Sequence, residues 1–457
     1  FLTITLIISV LNFYQPPKQF QCPDCSVLFI GFDALQSVHV SHLGYFRDTT
    51  PTLDRLARGG FSFSQAISPS SWTVPSFMSV LTSTYPSIHK VVNKYAVFTK
   101  SQKKLSNLKE LSPDIITVAE VFKLAGYFTA GFTGDAGVNH VFGYNQGFDV
   151  YTDEVKFGSM STSEKHALDW LDQNQGNKFF MFFHGYDAHG QFDLPENYRS
   201  RYEPGDYRGP YKGTKEEQEA LREEGLKMGF VNLTDADVEF WRAWYDGKIK
   251  DADDRLAGFL TELEKRNLLE KTVIVLFSDH GTEFYEHQRL DHGFSLYDEL
   301  IRVPLIIVIP GTKGGKIISQ QVSTLDIVPT ILDMVGVNPG EAFRSQTRGA
   351  SLVSLMSGTR NLGEDVFVET DYRNYTHKRA VRTIDGWKYI LSLENGGEEL
   401  YNLTDDPQEK YNLVNQETTK AEQLRQQLAR HIKEDLQENL DKKPRADCLP
   451  VYENQCQ

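Results

Sequence analysis

Three long apolar runs, each ending in an acid or a histidine, most constrain the fold of this 457-residue chain. They occupy residues 26–33, 178–184 and 271–280. A strand that is apolar on both faces is typical of a parallel sheet covered by helices on each side. Helical patterns at residues 48–60 and 116–124 alternate with these strands. We therefore predict an α/β fold with a doubly wound, mostly parallel sheet.

Polar side chains cluster where the predicted strands end. Asp33 ends the first run, His184 ends the second, and Asp279 with His280 ends the third. Ligands of open α/β sheets bind beyond the carboxyl ends of the strands. We therefore expect these side chains to meet at one edge of the sheet.

The chain divides into three parts by pattern. Residues 1–25 suggest the remnant of a signal peptide or membrane anchor followed by a linker, and residues 26–365 a catalytic α/β domain. Residues 366–457 predict a smaller α+β unit with antiparallel strands and a terminal helix over 419–438. Within the catalytic part, residues 199–234 are polar and predict a surface excursion, and residues 236–266 predict a long helix.

The two ends of the chain carry features that indicate its cellular location. The apolar run at residues 1–11 is shorter than the roughly 20 residues that span a bilayer, so we expect export, with a membrane tether as one form of it. Four cysteines at positions 22, 25, 448 and 456 favour disulfides in any of three connectivities. A four-thiolate zinc site is the alternative.

Net charge excludes one class of partner. The formal charge is −14, whereas a nucleic-acid-binding protein normally carries a basic face. An anionic substrate stays compatible with this charge, because a local metal site can outweigh the net charge of the protein.

The stretch Ser71-Trp72-Thr73-Val74-Pro75 precedes an apolar run at residues 77–82 that predicts a buried helix. A hydroxyl at such a helix entry lies near unpaired backbone N–H groups, where negative charge is stabilised. Thr73 is therefore a candidate nucleophile, and the alternative is that it is an ordinary N-cap.

Two groups of acids and histidines could hold a metal. The first consists of Asp279, His280, Glu283, His287, Asp291 and His292, and the second of His184, Asp187 and His189. Carboxylates and imidazoles in such clusters suit a divalent ion. With Asp33 they supply ligands for one or two ions, and the sequence does not separate Mn²⁺, Zn²⁺ and Ca²⁺. His184 is equally compatible with an ordinary core position.

Several ordered motifs carry a family resemblance. They include Ile30-Gly31-Phe32-Asp33-Ala34-Leu35, Trp72-Thr73-Val74-Pro75-Ser76, Tyr245-Asp246-Gly247-Lys248, Ser278-Asp279-His280-Gly281 and Asp326-Ile327-Val328-Pro329-Thr330. From about residue 27 to 413 the chain resembles the sulfatase family of the alkaline-phosphatase superfamily. The resemblance implies that Asp33, Asp279 and His280 bind a metal. It implies that Thr73 is the covalent nucleophile beside that metal, and that His189 touches the substrate anion or a metal.

The chain departs from the sulfatase pattern at four positions. Sulfatases place a Cys or Ser at the position of Thr73 for conversion to formylglycine, and an Arg at that of Phe77. They place a second Asp at Ala34 and a substrate-binding Lys in the region of His292. Thr cannot form the formylglycine aldehyde, so the usual sulfatase route is closed.

Thr nucleophiles resemble the phosphodiesterase and phosphotransferase branches of the superfamily. By that resemblance His189, His287 and His292, with Asp187, are candidates for a second metal. His189 and His292 are also candidates for proton transfer. We expect a metal-dependent hydrolase that acts on a small-molecule, glycan or lipid ester, with phosphate esters favoured. The alternatives are a sulfatase proper, a phosphotransferase acting on a surface glycan or lipid, and a non-catalytic anion- or glycan-binding relative.

Overall fold

The structure is a computed structural model that describes residues 16–92, 96–97, 105–106, 110–190, 193–360, 363–373 and 376–435. The strands are β1 (Ser26–Phe32), β2 (Phe61–Ile67), β3 (Ala96–Val97), β4 (Leu105–Ser106), β5 (Phe128–Phe132), β6 (Val150–Thr152), β7 (Phe179–Gly185), β8 (Thr272–Ser278), β9 (Glu283–Phe284), β10 (Leu290–Asp291), β11 (Arg302–Val308), β12 (Lys316–Ile318), β13 (Val322–Ser323), β14 (Val366–Tyr372), β15 (Thr376–Arg382), β16 (Trp387–Ser392) and β17 (Glu398–Asn402).

The α-helices are α1 (Pro51–Gly59), α2 (Thr73–Thr82), α3 (Pro86–His89), α4 (Val118–Leu124), α5 (Met160–Gln173), α6 (Glu196–Tyr202), α7 (Lys215–Met228), α8 (Asp235–Lys265), α9 (Asp298–Ile301), α10 (Ile327–Val335), α11 (Gly340–Gln346), α12 (Val353–Ser357) and α13 (Thr418–Arg430). Short 3-10 turns join several of them.

The predicted doubly wound sheet is confirmed. Within the described residues it has the order β12-β2-β11-β8-β1-β7-β5-β6, and β13 also pairs with β2. The central strands β1, β7 and β8 run parallel to one another, whereas β11 is antiparallel to both β8 and β2. Every residue of β1, β7 and β8 is buried, which explains their continuous apolar sequence.

Helix α8 begins where its sequence predicts a start. The Thr234 hydroxyl accepts a hydrogen bond from the backbone N–H of Asp237, and the Asp237 carboxylate accepts one from that of Thr234. This reciprocal capping satisfies two N–H groups that the helix would otherwise leave unpaired. One face of α8 is buried against the sheet through large side chains such as Trp241 and Phe259.

The prediction for residues 199–234 needs correction. This segment includes the end of α6 and all of α7, and α7 starts with a capping box formed by Thr214 and Glu217. Two of its polar side chains, Gln218 and Arg222, are buried rather than solvated. The apolar positions are too few to reveal this helix by periodicity, because part of its buried face is polar.

The C-terminal antiparallel sheet is present. Strands β14 to β17 pair in sequence order, and α13 covers one face of β15 and β16. This sheet supplies a fourth strand, β17, that the sequence pattern did not indicate. The predicted terminal helix ends as an α-helix at Arg430, and residues 436–438 lie outside the described part.

A buried ion network joins α9 to the C-terminal sheet. The Lys388 ammonium in β16 lies 2.7 Å from Asp298 Oδ1 and 2.7 Å from Glu409 Oε1. Arg382 forms a second ion pair with Asp298 at 3.0 Å. Two acids thus balance two bases across the junction of α9 with the C-terminal sheet.

Cysteine pairing is settled in part. Cys22 and Cys25 form a disulfide immediately before β1, whereas Cys448 and Cys456 lie outside the described residues. Across the ranges that the structure describes, none of the helices combines the length and the apolar character needed to cross a bilayer. Of the predicted signal or anchor remnant and linker at residues 1–25, residues 1–15 lie outside these ranges.

Candidate active site

The two acids at the centre of the site are brought together by strand pairing. Phe32 of β1 pairs with Ser278 of β8 in parallel register, so the next residues, Asp33 and Asp279, leave the sheet side by side. Both side chains are buried, with at most 1% of their surface exposed. The sequence predicted this meeting from the two strand ends alone.

Asp279 is held by backbone donors. Its Oδ1 accepts hydrogen bonds from the N–H of Ala34 at 3.0 Å and the N–H of His280 at 2.8 Å. Burial, together with the nearby Asp33 carboxylate, raises the pKa of Asp279 well above its ordinary value. Two buried carboxylates this close need a positive charge to remain ionised.

His280 presents one ring nitrogen to the site. Its Nδ1 lies 2.6 Å from the carbonyl oxygen of Gly281, which can only accept a hydrogen bond. Nδ1 therefore carries the proton of the neutral ring, and Nε2 carries a lone pair. Nε2 lies 3.3 Å from Asp279 Oδ2 and 3.3 Å from Thr73 Oγ1.

Thr73 is the first residue of a fully buried helix. The predicted start near residue 77 is wrong, because α2 begins four residues earlier and Pro75 is accommodated in its first turn. Trp72 is the N-cap residue, with extended backbone. The alternative reading of Thr73 as the N-cap is therefore also wrong, and its hydroxyl contacts His280 instead.

Two histidines flank Asp33. His184 Nε2 lies 3.8 Å from Asp33 Oδ2, and His189 Nε2 lies 3.7 Å from Asp33 Oδ1. Burial lowers the pKa of His184 to about 3, so its ring is neutral. Both therefore belong to the centre, including His184, for which the sequence left a core position equally open.

Lys248 anchors the turn that carries His189. This buried side chain of α8 donates hydrogen bonds to the carbonyl oxygens of His189 and Gly190, each at 2.9 Å. On the other side the His189 ring stacks on Phe157, with ring centroids 5.7 Å apart. The imidazole is thus held between a packed ring and an anchored backbone.

His292 completes the imidazole group. Its ring centroid lies 4.3 Å from that of His280 and 5.0 Å from that of His189. Its Nδ1 pairs with the carboxylate of Asp291. Burial alone would raise the pKa of Asp291, but His292 and Arg222 outweigh burial and hold this pKa well below its ordinary value.

Two predicted site residues, Asp187 and His287, form contacts outside the group around Thr73. Asp187 Oδ2 accepts a hydrogen bond from the N–H of Met160 at 2.7 Å, and its Oδ1 lies 3.1 Å from Nε of Arg255. His287 lies beside Glu299, with Nδ1 2.6 Å from Glu299 Oε1. The structure thus does not join either residue to the group around Thr73, because loop geometry, which spacing does not determine, turns both away.

A cavity of about 440 Å³ opens beside this group. His189 and His292 line the cavity, and four aromatic rings and three cationic side chains line its wall: Trp72, Phe142, Phe157, Tyr372, Lys156, Arg222 and Arg373. Glu219 is the acid among the lining residues. A cationic wall suits an anionic ligand, although the whole protein is acidic.

Sequence reasoning missed the cations of this wall. Lys156 and Arg373 belong to separate connections, and Arg222 lies on α7, so no motif or spacing joins them. The capping box at Thr214 and Glu217 was a readable signal for α7. It could have shown that residues 199–234 fold back onto the protein.

The donor set fits a divalent metal. Asp33, Asp279 and His280 each offer one ligand atom, and these atoms lie within 4.8 Å of one another. Asp279 Oδ2 is buried and accepts no hydrogen bond from the described residues. The Nδ1–H of His280 donates to a backbone carbonyl, the arrangement that orients a metal-binding imidazole.

Comparison with protein families gives two matches. The family model described as Sulfatase matches residues 26–337. The model described as N-sulphoglucosamine sulphohydrolase, C-terminal, matches residues 285–438. The first covers more than half of the chain and contains Asp33, Thr73, Asp279 and His280.

Similar proteins include several sulfatases. A sulfatase from Formosa agariphila is 25% identical over 88% of this chain and 85% of its own length. Arylsulfatase K of Homo sapiens is 30% identical, over 40% of this chain and 35% of its own length. The second match thus spans about a third of the relative.

Solved structures of the same architecture include a phosphonate monoester hydrolase and a protein in complex with a sulfated sugar. A phosphonate monoester hydrolase of Agrobacterium radiobacter aligns with a TM-score of 0.70 and 19% identity, over 90% of this chain and 95% of its own. A structure solved with its substrate D-glucosamine-2-N,6-O-disulfate aligns with a TM-score of 0.69 and 20% identity, over 92% and 100%. At these identities both show the shared fold.

Proposed function

The chain belongs to the sulfatase family of ester hydrolases, and we propose that it hydrolyses phosphate or sulfate esters through a covalent intermediate on Thr73. Phosphate esters are its preferred substrates. The observation that carries this proposal is the position of the Thr73 hydroxyl. It lies at the start of a buried helix, 3.3 Å from Nε2 of His280 and hence beside the metal-ligand group.

The roles of the chain's own groups follow from their positions. Asp33, Asp279 and His280 would hold a divalent ion, which would supply Lewis-acid stabilisation of negative charge and favour the ionised form of a neighbouring hydroxyl. Thr73 gives up its hydroxyl proton to water, its Oγ1 attacks the phosphorus or sulfur atom, and the bond to the leaving oxygen breaks. The start of α2 places positive dipole ends beside the transferred group.

Proton transfer is assigned to the histidines of the cavity. His292, fixed by its bond to Asp291, lines the cavity where the leaving oxygen departs. It donates the proton that this oxygen requires, while His189 contacts the transferred anion. Water then attacks the phosphorus or sulfur atom, the bond to Thr73 Oγ1 breaks, and the phosphate or sulfate group leaves while Thr73 regains its hydroxyl proton.

Three residues favour phosphate over sulfate esters. Thr73 has no route to the formylglycine aldehyde that releases sulfate in conventional sulfatases. Phe77, at the position of the usual Arg, is buried against the His184 ring, with centroids 4.9 Å apart. His292 supplies an imidazole where sulfatases keep a Lys. None of these groups supports the aldehyde route, whereas all are compatible with a phospho-threonine.

Sulfate ester hydrolysis is the second candidate. It is favoured by the relatives, because both the Formosa agariphila protein and human arylsulfatase K carry sulfatase names. In this case sulfo-threonine would form and be hydrolysed. The cavity accepts either ester, since both present a tetrahedral anion to the same cations.

The cavity wall suggests a glycan or another substrate with a flat apolar face and negative charge. Trp72 and Tyr372 pack edge to face with centroids 5.4 Å apart, and Arg373 lies beside Tyr372. Aromatic rings next to cations suit a sugar that carries acidic groups. We further propose that the enzyme is exported, which the Cys22–Cys25 disulfide supports.

We place the boundary between the catalytic domain and the C-terminal subdomain at residues 365 and 366, immediately before β14. The terminal subdomain contacts α9 through the ion network of Lys388. It thereby supports the segment that follows His292.

One assay tests the proposal. The purified chain is incubated with an aryl phosphodiester, an aryl phosphomonoester and an aryl sulfate, each with Mn²⁺, Zn²⁺ or Ca²⁺. We expect turnover of a phosphate ester to exceed that of the sulfate, and mass spectrometry of quenched samples to place a phosphoryl group on Thr73. Faster sulfate turnover would favour the second candidate, and no turnover of any ester would contradict both.

A further inference from the structure

A second group of acids and a histidine lies away from Thr73. Glu283 of β9, His287 of the β9–β10 turn and Glu299 of α9 each offer one ligand atom, and these atoms lie within 4.8 Å of one another. We call these three residues the Glu283 cluster. Glu283 is fully buried and Glu299 nearly so, at 0% and 8% exposure.

The charges of the Glu283 cluster are not balanced by protein cations. The adjoining network pairs two acids, Asp298 and Glu409, with two bases, Lys388 and Arg382. In the described part of the chain neither Glu283 nor Glu299 forms an ion pair with Lys or Arg. Two buried carboxyl groups therefore face a single imidazole.

The imidazole of His287 cannot supply the missing charge in its neutral form. Its Nε2 lies 3.0 Å from the carbonyl oxygen of Glu409, so Nε2 carries the ring proton and donates it. Nδ1 then holds a lone pair, and it lies 2.6 Å from Glu299 Oε1. Two lone-pair atoms at this distance require a proton or a cation between them.

Glu283 provides an independent observation. Its Oε1 accepts hydrogen bonds from the backbone N–H groups of His287 and Arg289, each at 2.8 Å. Its Oε2 is buried and makes no hydrogen bond with the described residues. A buried carboxylate oxygen without a donor costs free energy unless a cation or a proton satisfies it.

We propose that the Glu283 cluster binds a second divalent cation, separate from the ion beside Thr73. One imidazole nitrogen and two carboxylates form a mixed nitrogen and oxygen donor set, which suits Zn²⁺ or Mn²⁺ better than Mg²⁺ or Ca²⁺. This inference does not depend on the chemistry at Thr73, because it uses other residues.

The cation would link the loop after His280 to the C-terminal subdomain. Glu283 lies three residues beyond His280, and it pairs with Asp291 in the β9–β10 ribbon. His287 reaches Glu409 beyond β17 through its Nε2. A bound ion would therefore fix the ribbon that carries Asp291 and His292, and its effect would be structural.

Protonated carboxyl groups are the competing explanation. Burial raises the pKa of Glu283 and of Glu299 to about 8 in the absence of an ion. The two explanations differ in one measurable respect, because only a cation site saturates with metal. The test therefore measures metal binding and stability rather than turnover.

The experiment uses the full chain with Asp279→Asn, which removes the ion beside Thr73. After treatment with a chelator, Zn²⁺ or Mn²⁺ is added back, and metal content and thermal unfolding are measured. We expect about one equivalent of bound metal and a rise in Tm with metal concentration. Adding Glu283→Gln should lower the affinity at least tenfold and remove the Tm rise.

Glu264→Gln in the same background is the matched control. Glu264 is an exposed acid near the end of α8 and is not a member of the cluster, so this variant should bind metal as before. If Glu283→Gln does not fold, His287→Gln gives the same readout. The proposal is wrong if Asp279→Asn binds no metal, or if Glu283→Gln and His287→Gln leave its binding unchanged.

Discussion

Thr73 Oγ1 and His280 Nε2 lie 3.3 Å apart although 207 positions separate the two residues in the chain. The contact forms because α2 starts at the same sheet edge where β8 ends. It joins the proposed nucleophile to the proposed metal ligands.

The first prediction concerns this contact. Thr73→Ala should lower kcat/KM for the best ester substrate by about three orders of magnitude or more, because the covalent step is lost. Thr73→Ser keeps a hydroxyl and should retain activity within about tenfold. Steady-state kinetics with the metal-loaded protein measure both, and equal activity of Thr73→Ala and the parent would rule out the nucleophile.

A second prediction concerns the missing carboxylate at Ala34. This residue has a φ of 58°, a left-handed backbone that Asp adopts more readily than Ala. Ala34→Asp should therefore fold and raise the affinity for divalent metal about tenfold or more through the added negative ligand. Calorimetric titration with Mn²⁺ or Zn²⁺ measures the change.

Ala34→Asn is the control for Ala34→Asp. It gives the same relief of backbone strain without negative charge, so its affinity should rise less. Equal metal affinity in the parent and both variants would show that position 34 does not face the ion.

The third prediction concerns the cationic wall of the cavity. Lys156→Ala should raise KM for an anionic ester up to about fivefold, with little change in kcat, because an exposed charge contributes roughly 0.2–1 kcal/mol. The effect should shrink as salt is added. Lys178→Ala, at an exposed position outside the cavity lining, should leave KM unchanged, and a matching rise in that variant would indicate a general charge effect.

The fourth prediction concerns the ion network between α9 and the C-terminal sheet. Lys388→Met leaves Asp298 and Glu409 buried without their shared cation and should lower the free energy of unfolding by about 3–5 kcal/mol. Lys410→Met removes an exposed lysine that donates to the backbone carbonyl of Glu286, so the loss in the free energy of unfolding should stay below about 1 kcal/mol. Denaturant unfolding compares the two, and similar losses would show that the network contributes no special stability.

The fifth prediction concerns acid stability. His89 is buried, its Nδ1 accepts a hydrogen bond from the N–H of Val91 at 3.1 Å, and burial lowers its pKa to about 3. Because the folded pKa lies below the ordinary 6.5, the stability that neutral His89 contributes is present above pH 6.5. It is lost as pH falls from about 6.5 towards 3, by up to about 1.4 kcal/mol per pH unit.

His89→Asn should flatten this part of the stability curve. The Asn side-chain oxygen can still accept from Val91 and does not titrate. Unfolding curves recorded from pH 7 to 4 measure the slopes, and equal slopes in the parent and the variant would contradict the prediction.

The sheet and the meeting of Asp33 and Asp279 at its edge could be predicted from the sequence. Asp33 and Asp279 follow continuous apolar strands, and such strands in parallel register bring their carboxyl ends together. No such rule gives the direction of a side chain on an irregular turn. The sequence therefore places Asp187 and His287 near Thr73, whereas both contact other residues. The sequence leaves the position of His184 open, because a residue at a strand end can face either the site or the core.

The cationic residues of the cavity wall could not be predicted from the sequence, for a different reason. Arg222 reaches the site from α7, whose buried face is partly polar and gives no helical periodicity. Its position depends on packing against residues more than 60 positions away, such as Asp291. Local patterns carry no information about such contacts.

Phe77 limits how this site could change over evolution. Its ring lies so close to β1 that a side chain at Gly31 would meet its Cε1 atom at 2.7 Å, and it also packs against Phe182 and Phe277. An arginine there would bury a cation among aromatic rings. Exchanging Thr73 for cysteine would thus not by itself recreate a formylglycine enzyme, and a lineage moving between the two chemistries would have to rebuild this aromatic layer as well.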